Sequence, residues 1–219
     1  MKLFKSILFF NILLCASLIA LPTVTGPTGL ITLPTAEILN YKQYNSAFDY
    51  QQNLYSYKVN VGALENTELG FVGGSEPDEG VFLNFKWSLS ANTGRFPLKM
   101  AIGFENITSS TQSDFYIVSS KKLAANLGVH GGFKALFSNS VEISFMTGLD
   151  YARNDNLIFM ADFNSLENNL YYVNMGVAYN IFNSEVGNNL YLKGTLENLL
   201  RNKGKDTFFN IGIAYTSIM

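Results

Sequence analysis

The chain has 219 residues, of which 47% are hydrophobic and only 15% charged, with a formal net charge of −2. A soluble globular domain carries about a quarter charged residues, so this surface is not built for water alone, and no basic field is present to draw in nucleic acid. One Cys and one His exclude a disulfide framework and a multi-thiolate metal site and argue against a His-based zinc centre; no cofactor is implied.

Lys2 and Lys5 precede a mostly apolar run from Ile7 to Ile19, broken by Asn11 and followed by small residues. This is the layout of a cleaved export signal over residues 1–20, with cleavage after Ser17 or Ala20. The alternative, a membrane anchor, needs a span of about 20 apolar residues, and the run is short for it. Cys15 stands where a lipoprotein cysteine would, but such signals want a small residue where Leu14 stands. Cys15 is therefore expected to leave with the peptide. No later stretch approaches the length of a transmembrane helix.

Residues 21–43 differ from all that follows. Thr23–Asn40 reads TVTGPTGLITLPTAEILN, rich in Thr, with Pro27, Pro34, Gly26 and Gly29. Such punctuation predicts an ordered loop or a plug rather than a regular element.

From residue 44 to residue 219 the chain alternates with period two, because successive side chains of a strand point to opposite faces. In 55–63, Tyr55, Tyr57, Val59 and Val61 oppose Ser56, Lys58, Asn60 and Gly62. In 81–89, Val81, Leu83, Phe85, Trp87 and Leu89 oppose Asn84, Lys86 and Ser88, with Phe82 as an exception. In 98–105, Leu98, Met100, Ile102 and Phe104 oppose Lys99, Ala101, Gly103 and Glu105. The pattern continues with Leu127, Val129 and Phe133 against Asn126, His130 and Lys134, then Val141, Ile143, Phe145, Leu149 and Tyr151 against Glu142, Ser144, Gly148 and Asp150. Leu157, Phe159 and Phe163 oppose Asp162, with Ile158 and Met160 out of phase. Tyr171–Tyr179, Leu190–Glu197 and Phe209–Thr216 alternate in the same way and place Lys193 and Glu197 on the polar face. With weaker segments at 44–52, 67–74 and 113–121, about twelve strands result. Turn residues at 65–66, 76–78, 92–94, 138–140, 154–156 and 202–204 join them as hairpins, so an antiparallel up-and-down meander is expected.

A soluble sandwich would also alternate. Here, however, the polar faces are rich in Gly, Ser, Asn and Ala with isolated charges of both signs, as a crowded barrel interior requires. Aromatics lie near strand ends on the apolar face, among them Tyr55, Trp87, Phe104, Tyr151 and Tyr179, as at the two interfaces of a bilayer. In hydrocarbon only a closed barrel pairs every backbone group of a strand. The fold expected is an all-β, transmembrane antiparallel barrel, in contact with outer-membrane lipid.

The segment Gly26–Leu39, GPTGLITLPTAEIL, resembles the opening motif of the YjbH-like family of outer-membrane proteins. There a G-x-x-G-L-I-x-x-P-[ST]-A-x stretch precedes the strands, matched here by Gly26, Gly29, Leu30, Ile31, Pro34, Thr35 and Ala36. VFLNFKWSL, PLKMAIGFENIT, DFYIVSSKK, NLGVHGGFK, ISFMTGLDY and LIFMADFN also resemble that family. The resemblance implies a bacterial outer-membrane location and an association with exopolysaccharide production or export. Members are often longer, so this chain looks like a single barrel unit. Its last residue, Met219, stands where a terminal Phe is usual.

Buried charges persist only when paired, so Lys58, Lys86, Lys99, Lys134 and Lys193 are expected to form a lumen network with Glu105, Glu142, Asp150, Asp162 and Glu197. His130 should face the lumen beside Glu142 or Asp150. A Ser–His–Asp site or a carboxylate pair for glycoside hydrolysis is conceivable, but a hydrogen-bonded structural histidine and ion-paired acids are the plainer readings. Gly131-Gly132 should mark a bend or crowding in the wall. The function expected is non-enzymatic, with the YjbH-like role beside polysaccharide or envelope export proteins. A passive pore for small solutes and a lumen enzyme acting on lipid or glycan remain as alternatives.

Overall fold

The computed structural model describes residues 21–75, 80–89, 98–166, 170–184, 187–200 and 206–218. The expected signal at 1–20, the turns at 76–78, 92–94 and 202–204 and the terminal Met219 lie outside these residues. The strands are β1 (Gln43–Gln51), β2 (Leu54–Leu64), β3 (Thr67–Gly74), β4 (Val81–Ser88), β5 (Lys99–Glu105) and β6 (Ser113–Ala124), followed by β7 (Leu127–Phe137), β8 (Val141–Ala152), β9 (Leu157–Leu166), β10 (Leu170–Asn183), β11 (Asn189–Glu197) and β12 (Phe208–Ile218). Each pairs antiparallel with the next, and β1 pairs with β12 from Gln43↔Ile218 to Gln51↔Asn210, which closes the barrel. The chain is thus an all-β, twelve-strand up-and-down barrel, beginning one residue earlier than the alternation indicated.

The two faces separate as the period requires. On β8, Ile143, Phe145 and Leu149 are exposed outward, while Ser144, Met146 and Asp150 are buried inward. On β2, Tyr55, Tyr57 and Val59 point out and Lys58 and Asn60 point in. Outward aromatics collect at both rims. Trp87, Tyr151 and Tyr179 stand towards the end where β1 begins, and Tyr50, Tyr55 and Phe104 towards the opposite end. Water would hydrate such a belt poorly, whereas acyl chains flanked by headgroups solvate it.

The core lies inside the barrel. Leu21, Leu30, Ile31, Leu33 and Ala36 form one buried apolar cluster with Ala101, Tyr116, Val118, Met146, Ile158, Met160, Ala178, Tyr191 and Ala214 of the wall. The two residues that break the alternation on β9, Ile158 and Met160, are inward side chains that gain an apolar partner there. Their phase is correct for the strand; only their chemistry departs from a polar lumen.

A charge on the outward face tests the solvent it meets. Ile213, half-exposed in the middle of β12, is expected as Ile213→Arg to cost about 2–4 kcal/mol of stability in phospholipid vesicles, read from urea unfolding. A cost below about 0.5 kcal/mol, usual for a wetted surface position, would mean that this face is in water.

Candidate functional site

The residues from Leu21 to Leu39 sit inside the barrel, almost all of them buried or half-buried. Their compactness follows from local chemistry. The segment folds on itself through Thr23 N–H to Pro27 O (2.8 Å), Val24 N–H to Ile31 O (2.7 Å), Gly29 N–H to Leu21 O (2.8 Å) and Leu30 N–H to Leu33 O (2.9 Å). Gly26 has φ +115°, and a Cβ there would also strike the Val72 and Asn84 side chains. A Cβ on Gly29 would meet the Leu33 carbonyl and Pro34. The two glycines of the motif are therefore needed for a left-handed backbone and for close packing, respectively.

Two carboxylates hold this segment from opposite sides of the wall. Glu68 on β3 accepts the Thr28 N–H (2.9 Å), the Thr28 hydroxyl (2.8 Å) and the Leu39 N–H (3.2 Å). Asp162 on β9 accepts the N–H groups of Ile31 (3.0 Å), Thr32 (2.8 Å) and Leu33 (3.2 Å) and the Thr32 hydroxyl (3.0 Å). Lys86 on β4 supplies the complementary donors, to the carbonyls of Thr28 (2.7 Å), Thr35 (3.2 Å) and Glu37 (2.7 Å). Asn60 donates to Gly26 O, Asn84 to Thr25 O and Lys193 to Pro22 O. The backbone polar groups of this irregular stretch thus find partners on the wall, as burial demands.

Most of the lumen charges expected from the sequence fall inside, though in separate groups rather than one network. Lys58 and Lys193 share Asp49, Lys134 pairs with Glu105 at 2.6 Å, and Lys86 lies 3.9 Å from Glu68. His130 stands between Ser120 and Asp150, with Nδ1 2.8 Å from the Ser120 hydroxyl and Nε2 2.6 Å from the Asp150 carboxylate. Asp150 is its neighbour; Glu142 pairs across with Leu136, remote from it. Four expected members stand outside the buried ion pairs, Asp162 because it meets only neutral donors among the described residues. Lys99 is 53% exposed at the rim, where it pairs with Glu37 of the segment at 2.5 Å. Glu142 is half-buried and has no ion pair among the described residues. Glu197 likewise lacks one and accepts from the Thr195 hydroxyl at 3.4 Å.

Asp49, Glu68, Ser120 and Asn174 carry much of this site and were not singled out by the sequence reading. Asp49 and Glu68 lie in the weaker segments at 44–52 and 67–74, whose faces the alternation left unassigned. Their signal was present: a lone acid between Phe48 and Tyr50, and another two residues before Gly70.

The order Ser120, His130, Asp150 matches a hydrolytic triad, yet the Ser120 hydroxyl is buried and already accepts the Ala36 N–H at 2.8 Å. With the Ser120 hydroxyl donating to Nδ1 and the Nε2–H to Asp150, every group of the trio is satisfied. The arrangement fastens the segment through the Ser120 hydroxyl.

Inward glycines make room for the segment. A Cβ on Gly148 would meet the Leu30 and Leu33 side chains, and one on Gly176 would press on Ile31 and Thr195. Gly132, by contrast, is hemmed by the Ile117 and Val118 backbone, while a Cβ on Gly131 would make an ordinary contact with the Met146 carbonyl, so crowding holds at one member of the pair. On either side of the segment the lumen opens into a cavity. One of about 420 Å³ is lined by Leu30, Glu37, His130, Asp150, Asn180 and Tyr191 among others. The other, of about 270 Å³, is bordered by Thr25, Asp49, Ser56, Asn106 and Asn210.

No family model and no curated protein matches this chain. Among solved structures it is similar in fold to the KdgM porin, with a TM-score of 0.57 at 12% identity over 79% of this chain and 98% of that one. It is similar also to the NanC porin, with a TM-score of 0.55 at 11% identity over 81% and 98%. A further KdgM structure, titled as a complex with disordered oligogalacturonate, gives 0.56 at 11% identity over 79% and 98%. At these identities the likeness is one of fold.

Gly62 on β2 offers a probe of this end of the segment, because a Cβ there would collide with the carbonyls of Leu39 and Asn40. Gly62→Val is expected to lift this end of the segment and break the bond from Leu39 to Glu68. Its loss, worth about 1.5–3 kcal/mol for a charged acceptor, should speed amide exchange at Leu39 about tenfold or more while strand amides stay protected.

Proposed function

We propose that this chain is an outer-membrane barrel of the pore-forming kind, closed at rest by residues 21–40 and permeable to small solutes when that segment is withdrawn. One observation carries the reading: the segment that fills the lumen is bound to the wall by hydrogen bonds, the Glu37–Lys99 ion pair and a modest apolar cluster, all reversible. Cavities already flank it at both mouths, and the fold likeness to two porins fits the same reading. The apolar outer belt suits an outer membrane and contact with its lipid. No chemical step is assigned to His130, Asp150 or Ser120, and the protein acts without catalysis.

A second reading has its own support. The motif of Gly26, Gly29, Leu30, Ile31, Pro34, Thr35 and Ala36 that resembles the YjbH-like family is the very stretch that docks in the lumen. On that reading the closed barrel is a scaffold for exopolysaccharide or envelope export proteins and does not conduct.

Planar-bilayer recording separates the two. The intact chain is expected to be closed most of the time, and Glu68→Gln, which halves the acceptor capacity facing Thr28 and Leu39, should raise its open fraction about tenfold, the equivalent of ~1.4 kcal/mol. Silence in both, together with copurification of envelope partners, would favour the scaffold. Steady conductance of the unaltered chain would show that the segment does not close the pore.

A further inference from the structure

Asp162 is partnered unlike the other carboxylates around the segment. Asp49 has Lys58 and Lys193, Glu105 has Lys134, Glu68 has Lys86, and Asp150 has His130. Asp162 is 3% exposed, yet among the described residues no ammonium or imidazole lies within 4 Å of it. Its charge is met by neutral donors instead. Four belong to the segment, the N–H groups of Ile31, Thr32 and Leu33 and the Thr32 hydroxyl, and only the Asn174 amide, at 2.7 Å, comes from the wall. Asn164 adds a second acceptor beside it. Its amide donates to the Thr32 hydroxyl at 2.5 Å, while its carbonyl oxygen is buried and has no donor.

Withdrawal of the segment removes four of the five donors at once. A carboxylate left in that state exchanges the segment's donors for water or for a cationic group that enters the open lumen. Lys86 fares differently. It loses the carbonyls of Thr28, Thr35 and Glu37 but keeps Glu68 nearby, so its charge stays compensated. Lys99 loses Glu37 of the segment but is 53% exposed at the rim, and Lys193 loses the Pro22 carbonyl but keeps Asp49, so among these groups Asp162 is the buried one left with no charged partner.

We propose that Asp162, with Asn164 and Asn174, is a binding site for a cationic group, an alkylammonium or guanidinium borne by a solute in the lumen, and that Ile31–Leu33 occupies it as an internal substitute. This rests on the reading that the segment can leave. Cation and segment then exclude one another, so a solute amine favours the open barrel by its preference for that state. The substrate class follows: amine-bearing solutes are selected, and acidic ones are not.

The test uses the full chain, refolded in lipid, with amide exchange followed at Ile31–Leu33. Putrescine should accelerate that exchange by about fivefold or more, while sodium chloride of equal ionic strength and galacturonate should not. Asp162→Asn should abolish the response, whereas Glu68→Gln, which loosens the other side of the segment and leaves Asp162 intact, should strengthen it. Equal exchange in putrescine and sodium chloride overturns the proposal, as does a response that survives Asp162→Asn or a larger effect of galacturonate. Should Asp162→Asn fail to fold, the comparison of putrescine with galacturonate in the unaltered chain and in Glu68→Gln still decides. The exchange readout needs no current, so a barrel silent in the bilayer recording would defeat the pore reading without deciding this one.

Discussion

Backbone pairing is the constraint from which the rest follows. Strands that present an apolar outer face cannot leave an edge in hydrocarbon, so the sheet must close, and here β1 closes on β12. Closing twelve strands encloses more room than the inward side chains of a small barrel fill and less than a wide aqueous channel. An interior of that size has to be occupied. In this chain the occupant is its own leading segment, and many features of the inner wall answer to it.

The wall meets the segment in two chemical registers. Where the segment offers apolar side chains, the strands supply Met146, Ile158, Met160 and small residues such as Ala178 and Gly148. Where it offers backbone N–H and C=O groups, the strands supply Glu68, Asp162 and Lys86 in reach of them. The second register is why an irregular stretch with three prolines can be buried at all. Without a helix or strand of its own, it borrows its hydrogen-bond partners from the barrel. The same borrowing limits its stability, because each such bond competes with water once a cavity hydrates the site.

That balance is what the proposed pore would draw on. The segment is attached by many individually modest interactions and is flanked by cavities at both mouths. Buried ion pairs within the wall, such as Lys134–Glu105 and Lys58–Asp49, involve no segment residue, so these pairs do not depend on the segment being in place. The carboxylates that touch the segment are different in kind: their partners are conditional on it. A closed state and an open state of one rigid barrel can therefore differ chiefly in what Asp162, Glu68 and Lys86 hold.

How much of this could be read beforehand depends on the range of the interaction concerned. Alternation is a local property, since two neighbouring residues already define opposite faces, so β2, β7 and β8 and their inward lysines, acids and histidine were legible from the sequence alone. The distinct composition of Thr23–Asn40 was legible for the same reason. Weak segments concealed Asp49 and Glu68, and the apparent errors at Ile158 and Met160 made sense only once an apolar partner lay against them. Which carboxylate meets which lysine was not legible, because that depends on the stagger of strands far apart in sequence. Nor was the docking of Ile31–Leu33 on Asp162, some 130 residues away. The sequence by itself determined strands, faces and a filler of unusual composition. Only the tertiary structure decided that the filler lies across the lumen with its amides on one cation-free carboxylate, because that contact is set by barrel closure and not by any local pattern.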